Sequence, residues 1–386
     1  MSKLRVGIIF GGRSGEHEIS LRSALTIIEA LDPAKYEVVP IGISRDGRWY
    51  SRDDAMRFLT DATQRRAELD SAGVPVSLLP QPTSGGLVRY SDEGSGRDAV
   101  ITDNAAGLGA HLDVIFPILH GTYGEDGTVQ GLLELAGIPY VGAGVLGSAL
   151  GMDKEAQKRV LRDCGIPVVR FVGLDRREHR EQPRLAARLA DELGYPVFVK
   201  PNALGSSIGI RKVKRPEELA AALEDAFQYD RKALIEASCE GREIECSVLG
   251  NDVPEASVPG EIVIGRQHDF YSYESKYLDP DGAECKIPAS LPPAIVERIR
   301  ALAIAAFKAL SLRGMARVDF LARRDLSEIY INEVNTIPGF TTISMYPKLW
   351  EASGLPLPRL IDRLIELALE EHRERASLKF TYQPKT

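Results

Sequence analysis

Two short runs in the last quarter of the chain bring hard oxygen ligands and a fixed cation together: Arg317-Val-Asp319 and Asn332-Glu333-Val-Asn335. Both read as parts of adjacent strands, Ala316–Leu321 and Glu328–Glu333, joined by a charged turn. Residues two apart on a strand share a face, so Arg317 accompanies Asp319, and Glu333 accompanies Asn335. Two carboxylates and an amide oxygen suit Mg²⁺ that also binds phosphate oxygens. An arginine on that face supplies positive charge where a transferring phosphoryl or acyl group becomes anionic. The competing reading is solvated strand ends with an ordinary ion pair. The following Thr336-Ile-Pro-Gly339-Phe-Thr-Thr342 favours a site, because a Pro-Gly turn after an acidic strand end presents backbone N–H groups where ligands dock.

Three further stretches carry chemistry. Lys200-Pro-Asn-Ala-Leu-Gly205-Ser-Ser-Ile-Gly209 is a Gly/Ser-rich tip whose N–H groups suit phosphate oxygens, with Lys200 as a point charge; a plain surface hairpin is the alternative. Asp269-Phe-Tyr271-Ser-Tyr273-Glu-Ser-Lys276-Tyr277 is too polar for core and reads as a loop capping a site. Gly11-Gly12-x-x-Gly15, with Ser14, Glu16 and His17, is a loop fitted for close ligand approach. Gly142-Ala-Gly144-Val-Leu-Gly147 satisfies the dinucleotide fingerprint, but no convincing strand follows its helix, although Asp163 and Asp175 bracket the expected acidic position. No G-x-x-x-x-G-K-[ST] occurs.

The elements that must position these groups alternate in type. Arg5–Phe10, Glu37–Ile43 and Val114–Ile118 read as buried strands, and Ile19–Leu31 and Val129–Ala136 as helices. That order predicts an α/β fold opening with a doubly wound parallel sheet. Residues 51–110, rich in Gly, Ser, Asp and Arg, read as an insertion without chemistry. Ser148–Cys164 reads as one helix, residues 196–213 as a hairpin, and Leu291–Leu310 and Leu357–Glu371 as helices. The expected parts are residues 1–147, 148–240 and 241–386.

Composition narrows the class. A chain of 386 residues needs two or three domains. A net charge of -7, from 55 acidic and 48 basic residues, excludes a general nucleic-acid binder. No apolar run approaches the ~20 residues that span a bilayer, and the early apolar stretch ends at Gly11-Gly12 without a cleavage site. Cys164, Cys239, Cys246 and Cys285 are scattered and fit reduced thiols in a cytoplasmic protein.

Taken in order, Gly11-Gly-x-Ser14-x-Glu16-His-Glu-Ile-Ser20, His120-Gly-x-x-Gly124-Glu-Asp-Gly127, Met152-Asp-Lys154, Lys200-Pro…Gly205-Ser-Ser-x-Gly209, Tyr273-Glu-x-Lys-Tyr277 and Asn332-Glu-Val-Asn335-Thr-x-Pro-Gly339 resemble the blocks of bacterial D-alanine–D-alanine ligases. The resemblance implies a three-part ATP-grasp fold, ATP as co-substrate, two Mg²⁺ (or Mn²⁺) ions and a homodimer. It implies that Lys154 and Lys200 meet the ATP phosphates under a loop containing Gly205, Ser206 and Ser207, with Glu236 and Glu243 at adenine and ribose. Asp319, Glu333 and Asn335 match the metal ligands, and Lys276 a contact to the transferred phosphate. Glu16 matches the acceptor of the first alanine's ammonium, with Ser206 and Tyr277 as its partners and His120 alongside. Arg317 and the Gly339 amide match an oxyanion-stabilising pair, and Ser344 with Met345 the site of the second carboxylate. The implied reaction phosphorylates one D-alanine carboxylate and lets the second D-alanine's amine attack the acyl phosphate. It needs charge compensation rather than a protein nucleophile, which fits the absence of a Ser–His–Asp or Cys–His signature.

Ala237 departs from the family, where a lysine often follows the adenine-site glutamate. The motif around Tyr277 keeps the dipeptide-forming pattern and favours D-alanine over D-lactate or D-serine as second substrate. Two rivals remain: an ATP-grasp ligase for another amino acid, disfavoured by the opening and His120 blocks, and a nucleotide-binding regulator, which has no need of Arg317.

Overall fold

Every residue from Val6 to Phe10 is fully buried or nearly so, because β1 (Leu4–Gly11) lies between two cores. In the computed structural model, which describes residues 2–51, 54–57, 59, 75–82, 86–91, 100–103, 111–265, 279 and 282–382, three sheets follow one another along the chain. β1 pairs in parallel with β2 (Tyr36–Ile43) and β7 (Val114–Pro117). Such a centre, covered on both faces, needs apolar residues throughout rather than alternation. Val6, Ile8 and Phe10 meet α1 (His17–Ala30) and, from the far end of the chain, Leu360, Ile361 and Leu364. Ile9 turns the other way, toward Val129 and Leu133 of α2 (Thr128–Ala136).

The expected parallel core is therefore present, but the sheet is seven-stranded and mixed. Beyond β2, strands β3 (Trp49–Ser51), β4 (Val76–Leu78), β5 (Leu87–Ser91) and β6 (Val100–Asp103) add on antiparallel. The segment read as a featureless insertion thus extends the sheet. Its strands are too short for a periodic signal to show.

The expected single helix over 148–164 is two: α3 (Val145–Met152) and α4 (Lys154–Asp163). Asp153 between them is extended and its carboxylate accepts from the Ala156 N–H. An aspartate that satisfies a first-turn donor starts a new helix rather than continuing the old one. The break places Lys154 on the first turn of α4, facing the site.

The second sheet is four-stranded and antiparallel, in the order β10-β9-β11-β8, from β8 (Phe171–Asp175), β9 (Val197–Pro201), β10 (Arg211–Val213) and β11 (Lys232–Ala237). Helix α5 is Arg176–Glu181; α6 (Leu185–Leu193) and α7 (Leu219–Tyr229) supply its core. The third sheet comprises β12 (Gly241–Gly250), β13 (Glu255–Ala256), β14 (Gly260–Ile264), β15 (Ala283–Lys286), β16 (Gly314–Arg323) and β17 (Ile329–Asn335). Helix α8 (Pro293–Ala309) packs Ile299, Ala303 and Phe307 against its apolar face, leaving the polar face open. After α9 (Met345–Ala352), the amphipathic α10 (Leu357–Ala376) returns to the first sheet, where Asp362 takes Lys35 Nζ at 2.7 Å and Tyr36 OH at 2.9 Å. Among the described residues, no helix is long and apolar enough to cross a membrane.

Candidate active site

On the open face of the third sheet, polar residues stand in two rows across adjacent strands. Glu245 of β12 lies opposite Asp319 of β16, which lies opposite Glu333 of β17. Ser247, Arg317 and Asn335 form the next row. Opposed side chains in such rows begin about 5 Å apart, so the two runs singled out in the sequence do share one face. Arg317 donates from Nε and Nη2 to the two oxygens of Asp319, each at 2.7 Å. Its Nε is also 3.0 Å from Glu245 Oε2. Burial disfavours the guanidinium charge, but Asp319, Glu245 and Glu333 outweigh it and hold Arg317 well above its ordinary pKa. Asn335 Nδ2 donates to Asp319 at 3.0 Å.

A bulge makes this face possible. Asp319 opposes Glu333 and Phe320 opposes Ile331, so Asn332 is an extra residue on β17. In β17, Ile329 and Ile331 are buried, then Val334. Strict alternation would have sent Glu333 and Asn335 into the core; the added residue turns them to the site.

Among the described residues no named strand follows β17; its outer edge is met by a parallel bridge from Ile331 to Val168, with Ile331 N–H on Pro167 O at 2.9 Å, and by α4. Gln157 accepts from Val334 N at 3.0 Å and donates to Val334 O at 3.2 Å. Lys158 Nζ donates to Asn332 O at 2.8 Å. Past that bridge, one carboxamide and one ammonium do for this edge what a backbone ladder would.

A cavity of about 500 Å³ opens between the second and third sheets, with Phe198, Lys200, Glu236, Glu243, Ile262 and Phe320 in its walls. Glu236, 2% exposed, sits 3.1 Å from Lys158 Nζ and 2.7 Å from Lys200 Nζ. Burial works against its charge, but the two ammonium groups prevail and hold its pKa down at about 2. Burial pushes Lys158 below its ordinary value, while Lys200, held by Glu236 and Glu333, stays above its own. Lys200 also donates to Asn332 Oδ1 at 3.2 Å. Lys154 Nζ donates to Leu204 O at 2.6 Å and is 3.9 Å from Glu333.

The glycine loop closes onto the head of α1. Ser206 and Ser207 have left-handed backbones, with φ of 51° and 57°, a conformation uncommon outside glycine. Ser206 donates its hydroxyl to Glu16 at the head of α1. A Cβ on Gly205 would lie 2.3 Å from Glu16 Oε2 and would displace that carboxylate. Ser14 accepts from Glu16 N at 3.2 Å and donates to His120 O at 2.6 Å.

His120 is buried, and burial lowers its pKa. Its Nδ1 faces Ile337 O at 3.0 Å; a carbonyl only accepts, so Nδ1 carries the proton and Nε2 accepts from Ser23 Oγ, 3.4 Å away. Ser23 in turn accepts from Phe340 N at 3.1 Å. Beside this chain Glu125 accepts from Gly121 N at 2.8 Å. Burial, with the Glu16 charge, pushes Glu125 up to about 8. Gly339 has its own steric reason, because a Cβ would lie 2.7 Å from Ser344 Oγ. Ser344 accepts from Thr341 N at 3.0 Å, and Met345 is buried with Ile262 and Leu349.

The structure thus gathers Glu16, His120, Gly205 and Ser206 in one group, Lys154, Lys200, Glu236 and Glu333 in a second, Arg317, Asp319 and Asn335 in a third, and Gly339 with Ser344 in a fourth. Ser207 and Glu243 line the cavity. Lys276 and Tyr277, with the rest of the proposed capping loop 269–277, lie outside the described residues. The G-x-G-x-x-G run serves packing: Gly144 precedes α3, which is followed by α4 rather than a strand, and a Cβ on Gly147 would lie 2.8 Å from Leu312. Sequence reasoning passed over Ser23, Glu125, Gln157, Lys158 and Glu245. Two of these had a signal, since Lys158 is four positions after Lys154 on one helical face and Glu245 is two after Glu243 on one strand face.

Comparison with known proteins gives matches along most of the chain. The pattern described as D-ala D-ala ligase N-terminus matches residues 5–143, and that described as D-ala D-ala ligase C-terminus matches residues 160–366. D-alanine--D-alanine ligase A of Chromobacterium violaceum is 49% identical over 384 residues, 99% of this chain and 100% of that protein. The protein of the same name from Escherichia coli K12 is 48% identical over 381 residues, again 99% and 100%. The solved D-alanine-D-alanine ligase of Coxiella burnetii superposes with a TM-score of 0.80 at 40% identity, covering 97% of each chain. The VanG D-Ala:D-Ser ligase of Enterococcus faecalis gives 0.79 at 35% identity, covering 95% of this chain and 100% of that one. The fold is that of ATP-grasp ligases. The chain belongs to the D-alanine–D-alanine ligase family.

Proposed function

We propose that this protein joins two D-alanines into D-alanyl-D-alanine, converting ATP to ADP and phosphate through an acyl phosphate, to supply cell-wall precursor. The observation that carries the reading is the closure of the Gly205–Gly209 loop onto Glu16 beside the Arg317–Asp319–Glu333 face. On this reading an ammonium-binding carboxylate, a phosphate-covering loop and a hard-ligand cluster serve one site.

Glu16 receives the ammonium of the first D-alanine, and neutral His120 stands beside it without competing charge. Lys154 and Lys200 compensate the phosphates, the latter drawing on an ammonium kept charged by Glu236. Glu236 and Glu243 border the adenine and ribose. The donor set of Asp319, Glu333 and Asn335 is all oxygen if the Asn335 amide presents its carbonyl, and it fits Mg²⁺ or Mn²⁺. Such ions, when bound, neutralise charge on phosphate oxygens. Arg317 and the Gly339 amide stabilise charge developing on the attacked carbonyl oxygen. Ser344 and Met345 place the second D-alanine's carboxylate, Lys276 reaches the transferred phosphate, and Tyr277 completes the hold on the closed loop. The reading extends to a cytoplasmic homodimer without nucleic-acid or membrane partners.

Phosphate release from ATP and Mg²⁺ tests it, measured with D-alanine, with L-alanine, and with D-alanine plus D-lactate or D-serine. D-Alanine-dependent release with the dipeptide as product is expected. No such release ends the ligase reading, and faster turnover of a mixed pair reassigns the second substrate.

A further inference from the structure

Glu245 is only 5% exposed and stands at the β12 end of the row that runs through Asp319 to Glu333. Its neighbour on the other side is Gly260 of β14, which offers no side chain. It faces Arg317, whose Nε it shares with Asp319 at 3.0 Å against 2.7 Å. The guanidinium therefore hydrogen-bonds to Asp319 on its own strand and meets a second negative charge, Glu245, on the next.

Those two contacts are not equivalent. Asp319 faces β17, where Glu333 and Asn335 complete the proposed cation-binding set, whereas Glu245 lies on the opposite side of Asp319. A carboxylate shared with a divalent ion holds a neighbouring guanidinium less strongly, because the ion's charge dominates locally. We propose that Glu245 is a positioning residue that keeps Arg317 drawn toward β12 while Asp319 and Glu333 engage the divalent cation and phosphates. This rests on the metal reading above. Arg317 already donates to both oxygens of Asp319, so without Glu245 to take up the guanidinium when the cation binds, guanidinium and cation compete for the same oxygens.

A double-mutant cycle on the full chain tests this, with Glu245→Gln, Arg317→Met and the pair, reading Mn²⁺ binding in the presence of ADP and no D-alanine. Glu245→Gln should weaken Mn²⁺ binding about tenfold when Arg317 is present and less than about twofold when it is absent, a coupling typical of contacting charges. The single variant should also lose about tenfold in kcat while the KM for ATP stays within about twofold. Equal weakening in both backgrounds would mean that Glu245 acts on the cation directly, and overturns the proposal, as does unchanged Mn²⁺ affinity in Glu245→Gln. If Gln at 245 prevents folding, Glu245→Asp, which withdraws the carboxylate by one methylene, is put through the same cycle with the same two overturning outcomes. Wild-type protein that fails to bind Mn²⁺ with ADP overturns the metal reading and the proposal together. Wild-type protein that binds Mn²⁺ yet releases no phosphate with D-alanine overturns the ligase reading alone.

Discussion

Ser206 donates its hydroxyl to Glu16 across 190 positions of sequence, and this hydrogen bond is the direct tie between the glycine loop and the head of α1. The bond ends on the carboxylate assigned to the first D-alanine, so loop position and substrate site are linked. Ser206→Ala should therefore raise the KM for the first D-alanine by about tenfold, the order expected for a lost hydrogen bond to a charged group. The melting temperature should not move, since the loop adds little apolar burial. Steady-state kinetics with a thermal melt decide; a fall in stability with unchanged KM would place the bond in folding instead.

The neighbouring glycine offers a steric version of the same test. A Cβ on Gly205 would lie 2.3 Å from Glu16 Oε2, so the carboxylate must move. In Gly205→Ala the Glu16 carboxylate must shift from the position in which it accepts from Ser206, and turnover should drop about a hundredfold, as misplaced reacting groups commonly cause. Wild-type kcat in this variant would show that this placement of the Glu16 carboxylate is not the working one.

Glu125 supplies a pH dependence. Its pKa of about 8 stands above that of an exposed glutamate, so the folded protein holds a proton there that the unfolded chain releases. That contribution to stability is complete below the ordinary glutamate value, is lost as pH climbs toward 8, and is constant above it. Glu125→Gln cannot ionise and should flatten the decline in melting temperature between pH 5 and about 8. An unchanged slope would exclude Glu125 as its source.

How much of this could be read in the chain beforehand depended on the distance between partners. The shared face of Arg317 with Asp319 and of Glu333 with Asn335 followed from two-residue strand spacing, and the structure bears it out. The bulge that permits it left a trace too, in the slip from Ile329 and Ile331 to Val334. The Glu16–Ser206 tie has no local signature, because nothing near either residue specifies the other; only resemblance to a family suggested it. The sealing of β17 by Gln157 was invisible for a related reason. A helix read by its apolar face says nothing of which backbone groups its polar face will satisfy, and the Asp153 break that sets the helix's direction looked like mid-helix sequence.

That sealing has a measurable cost when removed. Gln157→Leu keeps the volume but leaves Val334 N–H and C=O buried without the amide, and should destabilise the protein by about 2–4 kcal/mol. Urea denaturation measures this, and the Mg²⁺ concentration for half-maximal activity should rise with it, since Glu333 and Asn335 flank the released residue. Lost stability with an unaltered Mg²⁺ requirement would mean that the bulge holds those side chains unaided.

The buried triad of Lys158, Glu236 and Lys200 gives the most demanding prediction. Lys158 is 1% exposed, and its carboxylate partner is Glu236 at 3.1 Å. Glu236→Ala strands two ammonium groups in a space that burial already makes hostile to charge, and should cost about 3–5 kcal/mol. Lys158 should then prefer to be neutral in the folded state, its pKa falling further below the unfolded value. A base depressed by folding binds fewer protons there than in the unfolded chain, so the variant's stability should rise with pH toward the ordinary lysine range, more steeply than wild type, where Lys158 is depressed less. Adding Lys158→Met to Glu236→Ala should remove the rise and recover part of the stability, less the hydrogen bond from Lys158 to Asn332 O. Urea titrations of the three proteins from pH 7 to 10 measure both effects. A loss in Glu236→Ala that is independent of pH would show that Lys158 stays charged by some other means and that the carboxylate matters for shape alone.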